Sequence, residues 1–110
     1  MENFIIEEFD SYKVVLHTDT ANEGVDCGIH IKLPSGAAYL RYCRNNSNSN
    51  SVVKKGNFFD FNCYMELDKY ALHIDILRNE KPLFFFYNFD TNKAYLTTSD
   101  EPVGEEESDD

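Results

Sequence analysis

The stretch Asn57-Phe-Phe-Asp-Phe-Asn-Cys-Tyr-Met-Glu-Leu67 alternates between two kinds of residue with a period of two. Positions 59, 61, 63, 65 and 67 are Phe, Phe, Cys, Met and Leu, whereas positions 60, 62, 64 and 66 are Asp, Asn, Tyr and Glu. Successive side chains of a β-strand point to opposite faces of its sheet. The pattern therefore predicts a strand with one buried face.

Seven other runs of the chain are also typical of strands. Pro34-Ser35-Gly36 predicts a turn between two of them, because Pro presets φ and Gly accepts a positive φ. The run Leu83–Phe89 lacks alternation and carries five aromatic residues, which predicts a central strand covered on both faces. The seven runs are 3–9, 11–18, 27–33, 37–44, 70–77, 83–89 and 94–99.

These runs predict an all-β fold, an antiparallel meander of about seven or eight strands. Such a meander either closes into a small barrel or folds over as a sandwich. A short helix stays an alternative at residues 19–26 and 50–56. We expect one domain over residues 1–99 and an acidic tail over residues 100–110, which is too polar to fold on its own and is predicted to be disordered.

Charge is distributed unevenly along the 110 residues. The net charge is −10. Residues 1–10 hold four acids and no base, and residues 100–110 hold seven acids and no base. Residues 27–59, in contrast, hold five bases and no acid. The chain therefore has acidic ends and a basic centre.

The acidic ends predict a binding module without catalysis that engages a basic protein, for instance as an inhibitor or immunity protein. Charge complementarity is the only basis of this hypothesis. The residues expected to contact the partner are Glu2, Glu7, Glu8, Asp10, Asp100, Glu101, Glu105, Glu106 and Glu107.

The basic centre predicts an anion-binding site formed by Arg41, Arg44, Lys54 and Lys55, which flank the Asn/Ser-rich loop 45–51. Basic residues interleaved with aromatic residues on a β surface are typical of proteins that bind single strands. The net charge of −10 argues against nucleic acid as the partner, because the field of the whole molecule repels a polyanion.

Catalytic and metal-binding patterns are weak in this sequence. His73 and Asp75 would share one face of a strand, but no nucleophile motif accompanies them. Cys43, close to Arg41 and Arg44, is a candidate for a thiol of lowered pKa, and Cys63 is expected in the core. The spacing of Cys and His matches no zinc motif, and the glycines form no phosphate-binding loop. We therefore predict no enzyme, no metal and no cofactor.

The compartment and the alternative function follow from composition. Residues 1–8 do not resemble a signal peptide, no apolar stretch is long enough to span a membrane, and three separated cysteines suit free thiols, so we expect a cytoplasmic protein. The alternative function is a small-ligand-binding β-barrel with the aromatic runs 58–64 and 84–89 lining a cavity. An open sheet would leave strand edges, through which we expect any homodimer to form.

Overall fold

The computed structural model describes residues 3–16 and 25–99. Three groups of predicted features lie outside the described residues. They are Glu2, the segment 17–24 with His17, and the acidic tail 100–110 with Asp100, Glu101, Glu105, Glu106 and Glu107.

The described residues form eight strands, one short 3₁₀ turn and one α-helix. The strands alternate in side-chain direction, so their apolar residues collect on one side. The elements are β1 (Phe4–Phe9), β2 (Tyr12–Leu16), β3 (Val25–Leu33), β4 (Gly36–Cys43), β5 (Ser51–Lys55), β6 (Phe58–Glu66), the 3₁₀ turn Leu67–Lys69, α1 (Tyr70–Asn79), β7 (Leu83–Asn88) and β8 (Lys93–Thr97).

The strands form a five-stranded sheet in the order β2-β3-β4-β6-β5 and a three-stranded sheet in the order β1-β7-β8. Every pair is antiparallel except β4 and β6, which are parallel. The predicted all-β class, the number of strands and the mainly antiparallel pairing are confirmed. The described strands do not close into a barrel, so the barrel alternative is wrong and the two-sheet alternative holds.

One hydrophobic core lies between the two sheets. Phe61 of β6 contacts Phe85 and Tyr87 of β7 with ring centroids 5.3 and 5.0 Å apart. All three side chains are fully buried, and Leu77 of α1 joins the same cluster. The inward-facing rings of the aromatic runs predicted to line a cavity therefore pack against each other, and β7 is the central strand of its sheet, as its sequence predicted.

The predicted strand 70–77 is instead the helix α1, so this prediction is wrong. On this helix Leu72 is 59% exposed, and Leu77 is buried. Tyr70, Ile74 and Leu77 are spaced as a helical stripe and pack against the core. An apolar run of this kind fits both periods, so its sequence does not decide between strand and helix.

The parallel pair β4–β6 depends on a close approach of two backbones at Gly36. Its φ is +151°, and a Cβ built there would lie 1.9 Å from the carbonyl oxygen of Phe59. The N–H of Phe59 donates to the carbonyl of Ser35 at 2.8 Å. Glycine is therefore required at this turn so that β6 can start beside β4.

The Asn/Ser-rich loop 45–51 leads into β5. A short helix was the alternative predicted for residues 50–56, and the structure has a strand there. Asn50, near the end of this loop, connects the two sheets through its side chain. Its side-chain oxygen accepts from the N–H of Tyr64 at 2.7 Å, and its amide group donates to the carbonyl of Asn92 at 2.8 Å. This one amide therefore links β6 to the turn between β7 and β8.

Candidate functional site

The outer face of the three-stranded sheet is apolar at its centre. Strand register places the side chains in three rows, with Ile6, Phe86 and Tyr95 in the middle row. Phe4 and Phe84 belong to the rows on either side. We call Phe4, Ile6, Phe84, Phe86 and Tyr95 the aromatic face.

The aromatic face is separate from the core between the sheets. Phe86 lies at its centre and is 1% exposed, with the rings of Phe4 and Tyr95 at 5.2 and 5.5 Å. The other four side chains are half-buried. These four side chains therefore keep part of their surface open to solvent.

One end of the aromatic face is acidic. Glu8, Phe84 and Thr97 form one row of the register, and Asp10 follows β1 at the same end. Glu8 and Asp10 are both exposed. Residue 100 is the third residue after Thr97, so the acidic segment 100–110 is attached at this end as well.

Glu7, which was also predicted to contact a partner, has a role inside the fold. It points to the inner side of β1 and is half-buried. Its Oε1 accepts from the N–H and the hydroxyl of Ser35 at 3.1 and 2.8 Å. Glu7 therefore holds the turn between β3 and β4 against β1.

The four predicted anion-binding residues are not in one cluster. Arg44 forms an ion pair with Asp26 at 2.9 Å, and Lys55 forms one with Asp60 at 2.9 Å. These carboxylates raise the pKa of each base through a hydrogen bond and the charge interaction. Lys54 is exposed and lies on the other side of β5 from Lys55.

Arg41 lies among aromatic side chains on the outer face of the five-stranded sheet. Its guanidinium carbon is 5.3 Å from the ring centroid of Tyr39 and 5.6 Å from that of Tyr64. Its Nη1 donates to the side-chain oxygen of Asn62 at 2.7 Å. Within residues 3–16 and 25–99, Arg41 has no carboxylate partner.

His73 and Asp75 do not form the pair that a strand would have allowed. On α1 their side chains point in different directions, because two residues span about 200° of a helix. His73 Nδ1 lies 2.6 Å from the hydroxyl of Tyr42, and Asp75 accepts from Asn79 at 2.8 Å. Burial lowers the pKa of His73, with a smaller contribution from the charge of Lys69.

The three cysteines are free and buried. The lowered pKa predicted for Cys43 is wrong, because burial and then the charge of Asp26 raise its pKa more than a hydrogen bond with Asn48 and the charge of Arg41 lower it. Burial also raises the pKa of Cys63 to about 12, which agrees with the predicted core position. These thiols act as small apolar groups of the core.

Other features of the described residues bear on function. A cavity of about 30 Å³ lies beside Leu40, His73 and Phe85, which is room for about one water molecule. Within residues 3–16 and 25–99, no three Cys, His or acidic residues converge as metal ligands would. In the same ranges, no helix is long and apolar enough to cross a membrane.

Sequence reasoning missed the aromatic face and the grouping of Arg41 with Tyr64. Both depend on strand pairs that are distant in sequence, β1 with β7 and β4 with β6. The signal that was available is the alternating direction of side chains along a strand, which assigns Phe84 and Phe86 to one face of β7 and Tyr64 to the outer face of β6.

The chain matches no protein-family model, no curated protein and no solved structure.

Proposed function

We propose that the protein is a non-catalytic protein-binding module that engages a basic protein, in the manner of an inhibitor or immunity protein. The contact surface is the aromatic face together with its acidic end. The observation that carries the proposal is the strand register, in which Glu8, Asp10 and the attachment point of the acidic segment 100–110 share one end of that face.

An apolar centre with charges at its rim suits a specific interface between proteins. Aromatic residues are enriched in the centres of such interfaces, and rim charges steer a partner of opposite charge. Tyr95 and Phe84 supply half-buried rings, and Glu8 and Asp10 supply exposed carboxylates next to them. A basic partner would therefore meet apolar contacts and opposite charge on one surface.

The distribution of charge also supports a basic partner. The described residues carry ten acids and ten bases, so their net charge is zero. The whole excess of ten acids lies in residue 2, residues 17–24 and residues 100–110. The acidic charge is thus concentrated in segments attached to a neutral domain.

The proposal includes a cytoplasmic location and no catalytic step. Three free cysteines support a reducing compartment, since disulfides form in oxidising ones. Two copies of the chain could pair through β1 or β8, which are the outer strands of the three-stranded sheet, and such a homodimer would compete with the partner for this sheet.

The test is a pull-down from a lysate of the source organism, with bound proteins identified by mass spectrometry. Wild-type protein is compared with a full-length variant carrying Glu8→Gln, Asp10→Asn and the amide in place of every acid in residues 100–110. We expect wild type to retain a basic protein that the variant loses, because each exposed ion pair contributes about 0.2–1 kcal/mol.

Two further variants make the test specific. Asp68→Asn with Asp90→Asn removes two exposed acids away from the acidic end and should leave retention unchanged. Tyr95→Ser on the aromatic face should weaken retention while all acids are kept. The proposal is wrong if the amide variant retains the same proteins as wild type, or if no basic protein is retained.

A further inference from the structure

The outer face of the five-stranded sheet lies on the opposite side of the core from the aromatic face. Strand register aligns Lys13, His30, Tyr39 and Asn62 in one row across four strands. Arg41 and Tyr64 are paired in the next row. We call these six residues the basic face.

Bases outnumber acids around the basic face. The acids on this side of the sheet each have a partner within the fold: Asp26 with Arg44, Asp60 with Lys55, and Glu66 with the N–H of Asn46 at 3.0 Å. Lys13 and Lys32 are exposed, and neither forms an ion pair within residues 3–16 and 25–99. With Arg41, they leave three cations without a carboxylate partner in those ranges.

Aromatic rings lie between these cations. The ring of His30 meets the ring of Tyr39 edge to face at 4.9 Å, and Arg41 lies beside both Tyr39 and Tyr64. Tyr39, Arg41 and Tyr64 are half-buried, so each keeps part of its surface open to solvent. Rings held in this way by their neighbours are preorganised for stacking.

A shallow groove runs across this side of the sheet. Its volume is about 280 Å³, and Lys13, His30, Lys32 and Tyr39 are among its lining residues. Lys13 and Tyr39 are two strands apart, which corresponds to roughly 10 Å. The groove therefore connects Lys13 and Lys32 with the rings of His30 and Tyr39, and Arg41 and Tyr64 lie in the next row of the sheet.

We propose that the basic face binds single-stranded nucleic acid. Lys13, Lys32 and Arg41 would contact phosphates, and Tyr39 and Tyr64 would stack on bases. Cations that follow a backbone, combined with rings that every base can stack on, are the common elements of such sites on sheets. Nucleic acid uses both kinds of group at once, because its phosphates pair with the cations and its bases stack on the rings.

The net charge of −10 weakens this binding without excluding it. The described residues are neutral overall, and the basic face is positive. The acids in residues 2, 17–24 and 100–110 carry charge of the same sign as the ligand, and salt screens this repulsion over about 8–10 Å. We therefore expect a modest affinity for nucleic acid that falls when a contact residue of the basic face is replaced.

The experiment is fluorescence anisotropy of labelled oligo(dT) and oligo(U) of about 12 nucleotides, titrated with full-length protein. We expect a Kd of roughly 1–100 µM in 50 mM salt. Three phosphate contacts give a slope of log K against log salt of about −2, so affinity should fall about 20-fold between 50 and 200 mM salt.

Variants on the face separate the two kinds of contact. Arg41→Ala should weaken binding roughly tenfold or more and reduce the salt slope by about 0.7. Tyr64→Ala should weaken it about 5- to 150-fold with the slope unchanged, and Tyr64→Phe should restore it, because stacking needs the ring and not the hydroxyl. Lys54→Ala is the control, since it removes one exposed charge from the side of β5 that is opposite to the basic face.

Three results would overturn the proposal. One is an unchanged anisotropy up to about 200 µM protein in 50 mM salt. Another is an equal loss of binding for Lys54→Ala and Arg41→Ala, which would indicate general attraction to charge. The last is displacement of the oligonucleotide by a poly-glutamate peptide at equal concentration, with Tyr64→Ala unaffected, which would identify an acidic polypeptide as the ligand.

Discussion

Replacing Gly36 with alanine is expected to disrupt the pairing of β4 with β6. The new Cβ would lie 1.9 Å from the carbonyl oxygen of Phe59 and 2.8 Å from its nitrogen. Both atoms belong to the backbone, so rotation of a side chain cannot relieve the contact. The start of β6 must therefore move away from β4, and the hydrogen bond from Phe59 to Ser35 is lost.

The cost has three parts. Overpacking costs about 1–3 kcal/mol, the positive φ of +151° costs about 1–3 kcal/mol for alanine, and the lost hydrogen bond costs about 1 kcal/mol. Because the chain relaxes in part, we expect a decrease of about 3–5 kcal/mol in the free energy of unfolding. A domain of this size has roughly 5–15 kcal/mol in total, so the variant should be marginally folded.

Urea unfolding followed by circular dichroism measures this change. Gly56→Ala is the matched control, because Gly56 also has a positive φ, +62°, but a Cβ there would meet nothing within 4 Å. We expect the control to lose about 1–2 kcal/mol. The reasoning is refuted if the Gly36 variant loses no more than the Gly56 variant.

Three more outcomes follow from the contacts described above. Asn50→Ala should lower the free energy of unfolding by about 1–3 kcal/mol in urea titrations, and its exposed neighbour Ser49→Ala should not; equal losses would contradict the link between sheets. Because burial lowers the pKa of His73, the unfolded state binds its proton more tightly, so stability should fall as pH drops below 6.5, by up to about 1.4 kcal/mol per pH unit. The comparison is His73→Gln, whose stability curve should be flatter in this range; parallel curves would contradict the assignment. Ellman's reagent should react with the three thiols only after unfolding, because burial raises the pKa of all three, and rapid labelling of native Cys43 would contradict this.

The strands that the sequence predicted best are those with strict alternation. β3 and β6 place Ile29, Ile31, Phe61 and Cys63 in the core, as their periodicity predicts. When one face of a sheet is buried, every second side chain of the strand lies in the core, and the alternation of apolar and polar residues shows which ones. The turn at Gly36 was also predictable, because its residue types suit one backbone conformation.

Features that depend on distant pairing were not predictable in the same way. The alternation of residues 70–77 fits a strand as well as a helix, and only the packing of Tyr70 and Leu77 against the core distinguishes them. The parallel register of β4 with β6 brings Arg41 to Tyr64. Neither strand has a sequence pattern that indicates this register. Alternation along the predicted strand 3–9 already places Glu7 and Glu8 on opposite faces, but the hydrogen bonds that Ser35 donates to Glu7 required the fold.

Hydrogen exchange of the protein bound to the basic partner recovered in the pull-down tests the central claim most directly. The account predicts slower exchange at the acidic end of the three-stranded sheet, in residues 7–10 and 95–99, with residues 36–43 of the five-stranded sheet unchanged. Protection confined to residues 36–43, or no protection in either sheet, would contradict it.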